Sequence, residues 1–339
     1  MNLYDDNGYV NIDNILNTKL PFIFVAGGRA TGKTFTALKR AYERNIKFMY
    51  MRRTQTQCDL INKPEFSPFK PINNMYGYNV KVDSVSKYNS AFYVEEESGE
   101  KRNIGYTCAL STVSNIRGFD ASDVDLLIYD EFIPERHERP LKNESSAFFN
   151  AIETIGRNRE LQGKPPLQVL CLANANNLAN EIFLALKLVT KVYDMKKRGQ
   201  EYSLLKDRGV GIFLLSDSKI SQRKKQTALY KLTEGSNFYE MSVDNSFSYD
   251  IQTQPVSRNL REYRPLVTVG EITIYEHKST GNYYVSSHRS GNPPIFNSDD
   301  IDLKRFQKTY IYLPFAYMKR EIEFESFICE SLLTKYLKV

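Results

Sequence analysis

Gly27-Gly28-Arg29-Ala30-Thr31-Gly32-Lys33-Thr34 fits the pattern G-x-x-x-x-G-K-[ST] at every fixed position and follows the apolar run Phe22-Ile23-Phe24-Val25-Ala26. The order is strand, glycine loop, helix start, which is the context the pattern needs if it is to bind phosphate. Gly27 and Gly32 let loop amides point inward at phosphate oxygens, and the helix expected over Lys33–Glu43 turns the positive end of its dipole toward the same anion. A nucleoside triphosphate is the expected guest, held by Gly27, Gly28, Arg29, Ala30, Thr31, Gly32, Lys33 and Thr34. A glycine loop without nucleotide is the bland alternative, so a second motif is needed.

Val124-Asp125-Leu126-Leu127-Ile128-Tyr129-Asp130-Glu131 supplies it: a mostly apolar run ending in two adjacent carboxylates. Such a run reads as a buried parallel strand that delivers its acids at its C-terminal edge. In phosphate-loop nucleotidases the strand-end Asp holds Mg²⁺ together with the loop hydroxyl, which pairs Asp130 in role with Thr34, while Lys33 meets the β- and γ-phosphates. Glu131 is then free to orient and deprotonate water. A carboxylate beside the Mg²⁺ ligand marks the hydrolysing, motor-type branch of these enzymes better than the kinase branch.

The chain has 339 residues, 41% hydrophobic and 25% charged, ordinary values for a globular protein with a sizeable core. Its formal net charge is +6, and 23 basic residues face 22 acidic ones up to Thr190 but 23 face 18 beyond it. That one-sided excess favours a polyanionic partner. Cys58, Cys108, Cys171 and Cys329 are far apart and form no C-x-x-C pair, so reduced core thiols are expected. No charged-then-apolar leader and no membrane-spanning run is visible, and an intracellular protein is expected.

Strand-like runs at 22–26, 47–51, 105–111, 124–129 and 167–173 alternate with helical stretches, the pattern of a parallel sheet covered by helices. Residues 76–101 suggest a small antiparallel excursion. After about Leu215 the chain turns polar and basic around Gln222-Arg223-Lys224-Lys225, and a second module starts near Ile251. There 266–276 and 282–287 read as a hairpin around Ser279-Thr280-Gly281, Ser298-Asp299-Asp300 opens a helix, and 320–337 reads as one amphipathic helix with Ile322, Phe327, Ile328, Leu332 and Leu333 facing a core. The expected organisation is an ATPase domain over 1–215, a linker or lid over 216–250 and a C-terminal domain over 251–339.

Two further candidates lie outside these motifs. Gly156-Arg157-Asn158-Arg159-Glu160 lies at the end of a helix expected over Ala151–Arg159, and an arginine lent by a neighbouring subunit can neutralise charge on the transferring phosphoryl group, worth about a thousandfold or more in rate. A surface ion pair is the plainer reading. Asn174, at the C-terminal end of the 167–173 strand, stands where open α/β sheets place ligand-facing residues; it senses γ-phosphate or caps the next helix.

The ordered set Gly27–Thr34, Met49-Tyr50-Met51-Arg52-Arg53, Ile128-Tyr129-Asp130-Glu131-Phe132-Ile133, Arg157-Asn158-Arg159-Glu160, Cys171-Leu172-Ala173-Asn174-Ala175 and Tyr239-Glu240-Met241-Ser242-Val243-Asp244-Asn245 resembles the DNA-packaging ATPases, or encapsidation proteins, of small tailed bacteriophages of the phi29 type. The likeness runs from about Asn14 to Asp250. It implies an additional-strand, catalytic-glutamate (ASCE) phosphate-loop NTPase with a parallel central sheet, followed by a smaller α+β domain similar to a ribonuclease H-type nuclease that has lost its metal-binding acids. It also implies a homo-oligomeric, pentameric ring on the portal (connector) of a procapsid, threading double-stranded DNA, with a packaging RNA as an optional further partner and no membrane. Such a motor works in the host cytoplasm, docks transiently at the portal vertex and is absent from the mature virion.

Carried over by position, Lys33 and Thr34 bind ATP and Mg²⁺, Asp130 is the metal ligand, Glu131 activates water, Arg157 is the trans-acting finger, and Arg117, in Asn115-Ile116-Arg117-Gly118, matches a basic position for sensing or trans contact. Arg29 matches a loop arginine of related terminases. In the C-terminal stretch Glu271, Asp299, Asp300 and Asp302 do not form a convincing set of three acids, so no DNA cleavage is expected. A terminase large subunit with a working nuclease is the nearest rival; a small-molecule kinase and a non-hydrolysing nucleotide switch are the others.

Overall fold

A computed structural model describes residues 1–116, 121–134, 138, 141–174, 180–216, 218–236, 239 and 255–338. Arg117, Ala175 and residues 240–245 of the motifs above lie outside them. In chain order the larger unit contains α1 (Ile12–Leu16), β1 (Phe22–Gly27), α2 (Lys33–Glu43), β2 (Phe48–Arg52), α3 (Gln55–Ile61), α4 (Lys70–Tyr76), β3 (Val80–Ser84), β4 (Ser90–Glu95), β5 (Lys101–Ala109), β6 (Leu126–Asp130), α5 (Glu144–Gly156) and β7 (Gln168–Asn174). After α6 (Glu181–Ala185) and α7 (Val189–Lys197) come β8 (Tyr202–Leu205), β9 (Val210–Leu214), α8 (Lys219–Lys225) and α9 (Ala228–Leu232).

These strands form one nine-stranded sheet in the order β3-β4-β5-β2-β6-β7-β1-β9-β8. The six central strands, β5 through β9 in that order, are parallel to their neighbours, and the antiparallel pairs are β3–β4, β4–β5 and β8–β9. Strands covered on both faces must be apolar throughout, and every residue of β6 and all but the first of β1 are indeed buried. β7 lies between β1 and β6, so an additional strand separates the glycine-loop strand from the acid strand. The parallel sheet expected from the sequence is present as the centre of a larger mixed sheet, with the expected excursion in β3 and β4 on one side and the antiparallel β8 on the other.

The differences are instructive. β5 starts at Lys101 rather than at 105, because its first half pairs antiparallel with β4 at the sheet edge, where Arg102 opposite Val94 and Lys101 opposite Glu95 keep their charges in water. The helix expected over Ala151–Arg159 is α5, which begins at Glu144 and ends at Gly156, so Arg157 and Arg159 lie beyond it. The hairpin β8–β9 has no counterpart among the expected strands: its apolar run Val210-Gly211-Ile212-Phe213-Leu214 is short and glycine-interrupted, yet all of it is buried beside β1.

Chain contacts group 177–194 with 249–339 as a second unit. It holds β10 (Tyr263–Val269), β11 (Ile272–His277), β12 (Tyr283–Ser286), β13 (Ile295–Phe296), α10 (Asp300–Thr309), α11 (Leu313–Met318), β14 (Ile322–Phe324) and α12 (Phe327–Leu337), with sheet order β13-β10-β11-β12-β14. The run 266–276, expected as one strand, is two: Gly270, at φ +54°, turns the chain between β10 and β11. The single helix expected over 320–337 is also divided. Ile322 and Phe324 point into the core at strand spacing while Glu323 faces Arg258, and the helix starts only after Ser326, whose hydroxyl caps Cys329 N. Asp299 caps α10 as expected, and Cys58, Cys108, Cys171 and Cys329 are buried free thiols.

Candidate active site

Parallel strands deliver their C-terminal residues to one edge of the sheet, and the sequence candidates meet there. β1 ends at Gly27, in register with Asn174 at the end of β7; β2 ends at Arg52 and β6 at Asp130. Gly27 has no room for a side chain, since a Cβ would stand 2.4 Å from that of Leu215. Gly32 caps α2 in the left-handed region, φ +83°, with the Tyr9 ring packed where a Cβ would go. The loop thus presents bare backbone.

Lys33, buried at the start of α2, reaches back over this loop and donates from Nζ to Gly28 O at 2.7 Å and Gly27 O at 3.1 Å. Burial is the main cause that lowers its pKa to about 8, reinforced by Lys224 and Arg29 and opposed by Asp130 and Glu131. A buried ammonium whose hydrogen bonds go to neutral oxygens, these two carbonyls and the Thr31 hydroxyl, gains from a bound anion. The next residue turns to the acid strand: Thr34 Oγ1 lies 3.0 Å from both carboxylate oxygens of Asp130.

Asp130 has two more partners that the sequence argument missed. Tyr50 donates its hydroxyl to Oδ2 at 2.6 Å, and Arg52 Nη1 donates to the same oxygen at 3.1 Å. Burial and the adjacent Asp130 charge push the Tyr50 phenol well above its ordinary pKa, so it stays a donor. Arg52 also pairs through Nη2 with Glu131 Oε2, so one guanidinium joins both acids. Although burial opposes its charge, Tyr50, Asp130 and Glu131 raise the Arg52 pKa above its usual value. Glu131 itself has φ +58°, a conformation unusual for a side-chain-bearing residue, which turns the chain off the strand right after Asp130. The missed signal was positional: Tyr50 and Arg52 alternate on β2, the strand that pairs with β6.

Arg157 is exposed and follows α5, where its backbone N–H closes the helix on Glu153 O. Two residues on, Arg159 is buried and bonds Asp125 Oδ1 at 2.6 Å, Pro165 O at 2.7 Å and Val124 O. Those partners mark the N-terminal start of β6, roughly 16 Å of strand from its acidic end. Arg159 is therefore a structural anchor, and Arg157 stands at the opposite edge of the sheet from Lys33 and Asp130 of its own subunit. Ala30, at φ +59°, and Arg29 complete the loop.

With this geometry in hand, residues 4–283 match the family described as podovirus DNA encapsidation protein (Gp16). The chain belongs to that family. Similar curated relatives are the DNA packaging protein of Bacillus phage phi29, 28% identical over 74% of this chain and 67% of that one, and that of Bacillus phage B103, 30% identical over 71% and 67%. The fold is shared over nearly the whole chain with "The bacteriophage Phi-29 viral genome packaging motor assembly", at TM-score 0.67 and 19% identity, covering 97% of this chain and 98% of that one. "The Phi-28 gp11 DNA packaging Motor" gives TM-score 0.60 and 23% identity over 96% and 97%. Membership places the protein in phage DNA packaging.

The site of this encapsidation protein fits a magnesium nucleotide. Its donor set is a bare glycine loop, a buried lysine, a helix N-terminus and a hydroxyl paired with a carboxylate. Thr34 and Asp130 would hold the cation, which supplies charge neutralisation on the phosphates.

Proposed function

We propose that this encapsidation protein is a Mg²⁺-dependent ATPase that moves double-stranded DNA through a portal into a procapsid, as a homo-oligomeric ring. The observation that carries it is the convergence of Lys33, Thr34, Asp130 and Glu131 on one sheet edge, from a loop and a strand nearly a hundred residues apart. Lys33 binds the β/γ-phosphates, Thr34 and Asp130 fix the metal, and Glu131 takes the proton of the attacking water. A carboxylate bonded to a guanidinium is a poor base, because the positive charge stabilises its anionic form. Arg52 must therefore release Glu131 before water is deprotonated, and that exchange is a point where DNA or a neighbouring subunit can gate turnover. Arg157, remote from its own nucleotide, serves a neighbour in trans; Asn174 and Arg117 complete the phosphate-sensing set.

The C-terminal unit is read as a vestigial, ribonuclease H-like nucleic-acid-binding domain, on the support of its mixed five-stranded sheet and the basic excess of the sequence beyond Thr190. Three of its four nominated acids have structural work: Glu271 is half-buried and accepts from Thr190, Asp299 caps α10, and Asp302 accepts from Asn297. A packaging RNA is a candidate further partner at the portal. The proposal is tested by ATP turnover with and without portal-bearing procapsids and DNA: stimulation by both is expected, and a rate indifferent to either contradicts a motor.

A further inference from the structure

α8 is fastened to the phosphate loop by a lysine that the two nucleotide motifs do not contain. Lys224 Nζ donates to Arg29 O, inside the loop, at 2.6 Å, and lies 5.0 Å from the centroid of the Tyr230 ring. Among the described residues no carboxylate pairs with Lys224. Its charge is nonetheless close enough to Lys33 to depress that group's proton affinity. Arg29, Lys33 and Lys224 therefore gather positive charge around one short loop, while Asp130 and Glu131 on the facing strand already share Arg52. A polyanion bound at this loop is attracted by all three charges.

The helix that carries Lys224 is held at its other end by separate bonds. Lys219 Nζ donates to Asp6 O at 3.0 Å, the Tyr4 hydroxyl donates to Ser216 O, and Ser218 caps the first turn at Ser221 N. The N-terminal segment that receives these bonds is itself tied to the loop, through Val10 N–H to Thr31 O at 2.9 Å. α8 is thus anchored at its start, with a long, flexible cation at its end resting on a neutral carbonyl.

We propose that Lys224 is a phosphate-binding cation of the nucleotide site, which leaves the Arg29 carbonyl to bond the polyphosphate of a nucleoside triphosphate. The exchange replaces a charge-to-dipole bond with a charge-to-charge bond, the stronger kind. Nucleotide occupancy then bears directly on α8 and on the basic segment around it, so the polyphosphate is read at a point outside the glycine loop. The proposal rests on the nucleotide-site reading above.

The test is calorimetric titration of the full chain with a non-hydrolysable ATP analogue, ADP and AMP in the presence of Mg²⁺. Lys224→Gln keeps a donor for the Arg29 carbonyl but loses the charge; Lys224→Ala loses both, and Lys224→Arg keeps the charge. Gln and Ala variants are expected to bind the triphosphate at least about tenfold more weakly while AMP affinity barely changes, and Arg is expected to restore most of the loss. A Gln variant that binds all three nucleotides like the parent shows a loop anchor only and overturns the proposal, as does an equal loss for AMP and triphosphate. A parent chain that binds no triphosphate sinks the nucleotide reading as well, and parent binding with unchanged Gln and Ala variants sinks Lys224 alone.

Discussion

At the scale of single residues, Lys33 carries the most specific electrostatic consequence. Its pKa in the nucleotide-free fold, about 8, lies below the ordinary lysine value, so the unfolded chain binds the extra proton more strongly. The burial penalty is fully present below pH 8 and is relieved as pH rises from there toward the unfolded value, so Lys33 destabilises the nucleotide-free fold at neutral pH and ceases to do so on the alkaline side. A bound triphosphate reverses this by favouring the ammonium form. Nucleotide binding between pH 8 and 9 should therefore take up protons, visible as a binding enthalpy that varies with the ionisation enthalpy of the buffer; no variation would contradict the assignment of Lys33 to the phosphates. Arg52 gives the second residue-scale prediction. With Arg52→Gln, Glu131 loses its guanidinium partner, so basal ATP turnover without DNA should rise several-fold and stimulation by DNA should shrink. A variant with unchanged basal rate would show that the Arg52–Glu131 pair does not gate hydrolysis.

At the scale of elements, neighbouring arginines at the end of β2 serve opposite faces of the sheet. Arg52 meets the acids of β6, while Arg53 is buried and bonds Glu144 at the start of α5, Nε to Oε1 at 2.8 Å and Nη2 to Oε2 at 3.1 Å, with Tyr129 donating to the same carboxylate. Arg53 keeps Glu138 Oε2 through Nη1 at 3.1 Å, so Glu144→Ala removes its buried partner without leaving it wholly unpaired and should cost about 1.5–3 kcal/mol in urea unfolding. A cost under about 1 kcal/mol would place the pair at a solvated surface instead. The central sheet was legible in the sequence because both-face burial demands unbroken apolar runs, as in Phe22-Ile23-Phe24-Val25-Ala26 and Leu126-Leu127-Ile128-Tyr129. α2 was legible to the residue because Gly32 and Lys33 fix its start. Edges were not: β5 runs back into charged residues, β9 is short, and β14 is a three-residue strand whose Ile322 is easily read into the apolar stripe of the helix that follows it. Within the site, Lys33, Thr34, Asp130 and Glu131 were readable because phosphate and metal chemistry fixes their spacing. Tyr50, Arg52 and Lys224 were not, because what joins them to it is strand pairing and tertiary contact.

At the scale of the whole molecule, the account requires that subunits complete one another's sites. Arg157 follows α5 two residues before Arg159, whose bonds lie at the start of β6 and not at its acidic end, so Arg157→Ala and Glu131→Gln should each be inactive alone. Rings mixed from the two should recover part of the ATP turnover, since an intact arginine can then serve an intact glutamate; no recovery at any mixing ratio would rule out trans action by Arg157. The central claim is that hydrolysis at the Lys33–Glu131 pocket drives DNA into the head. The most direct measurement is the amount of DNA protected from nuclease inside procapsids, with parent and Glu131→Gln chains each shown to bind Mg²⁺–ATP. The account predicts ATP-dependent protection by the parent and none by the variant; protection by Glu131→Gln at the parental rate would contradict it.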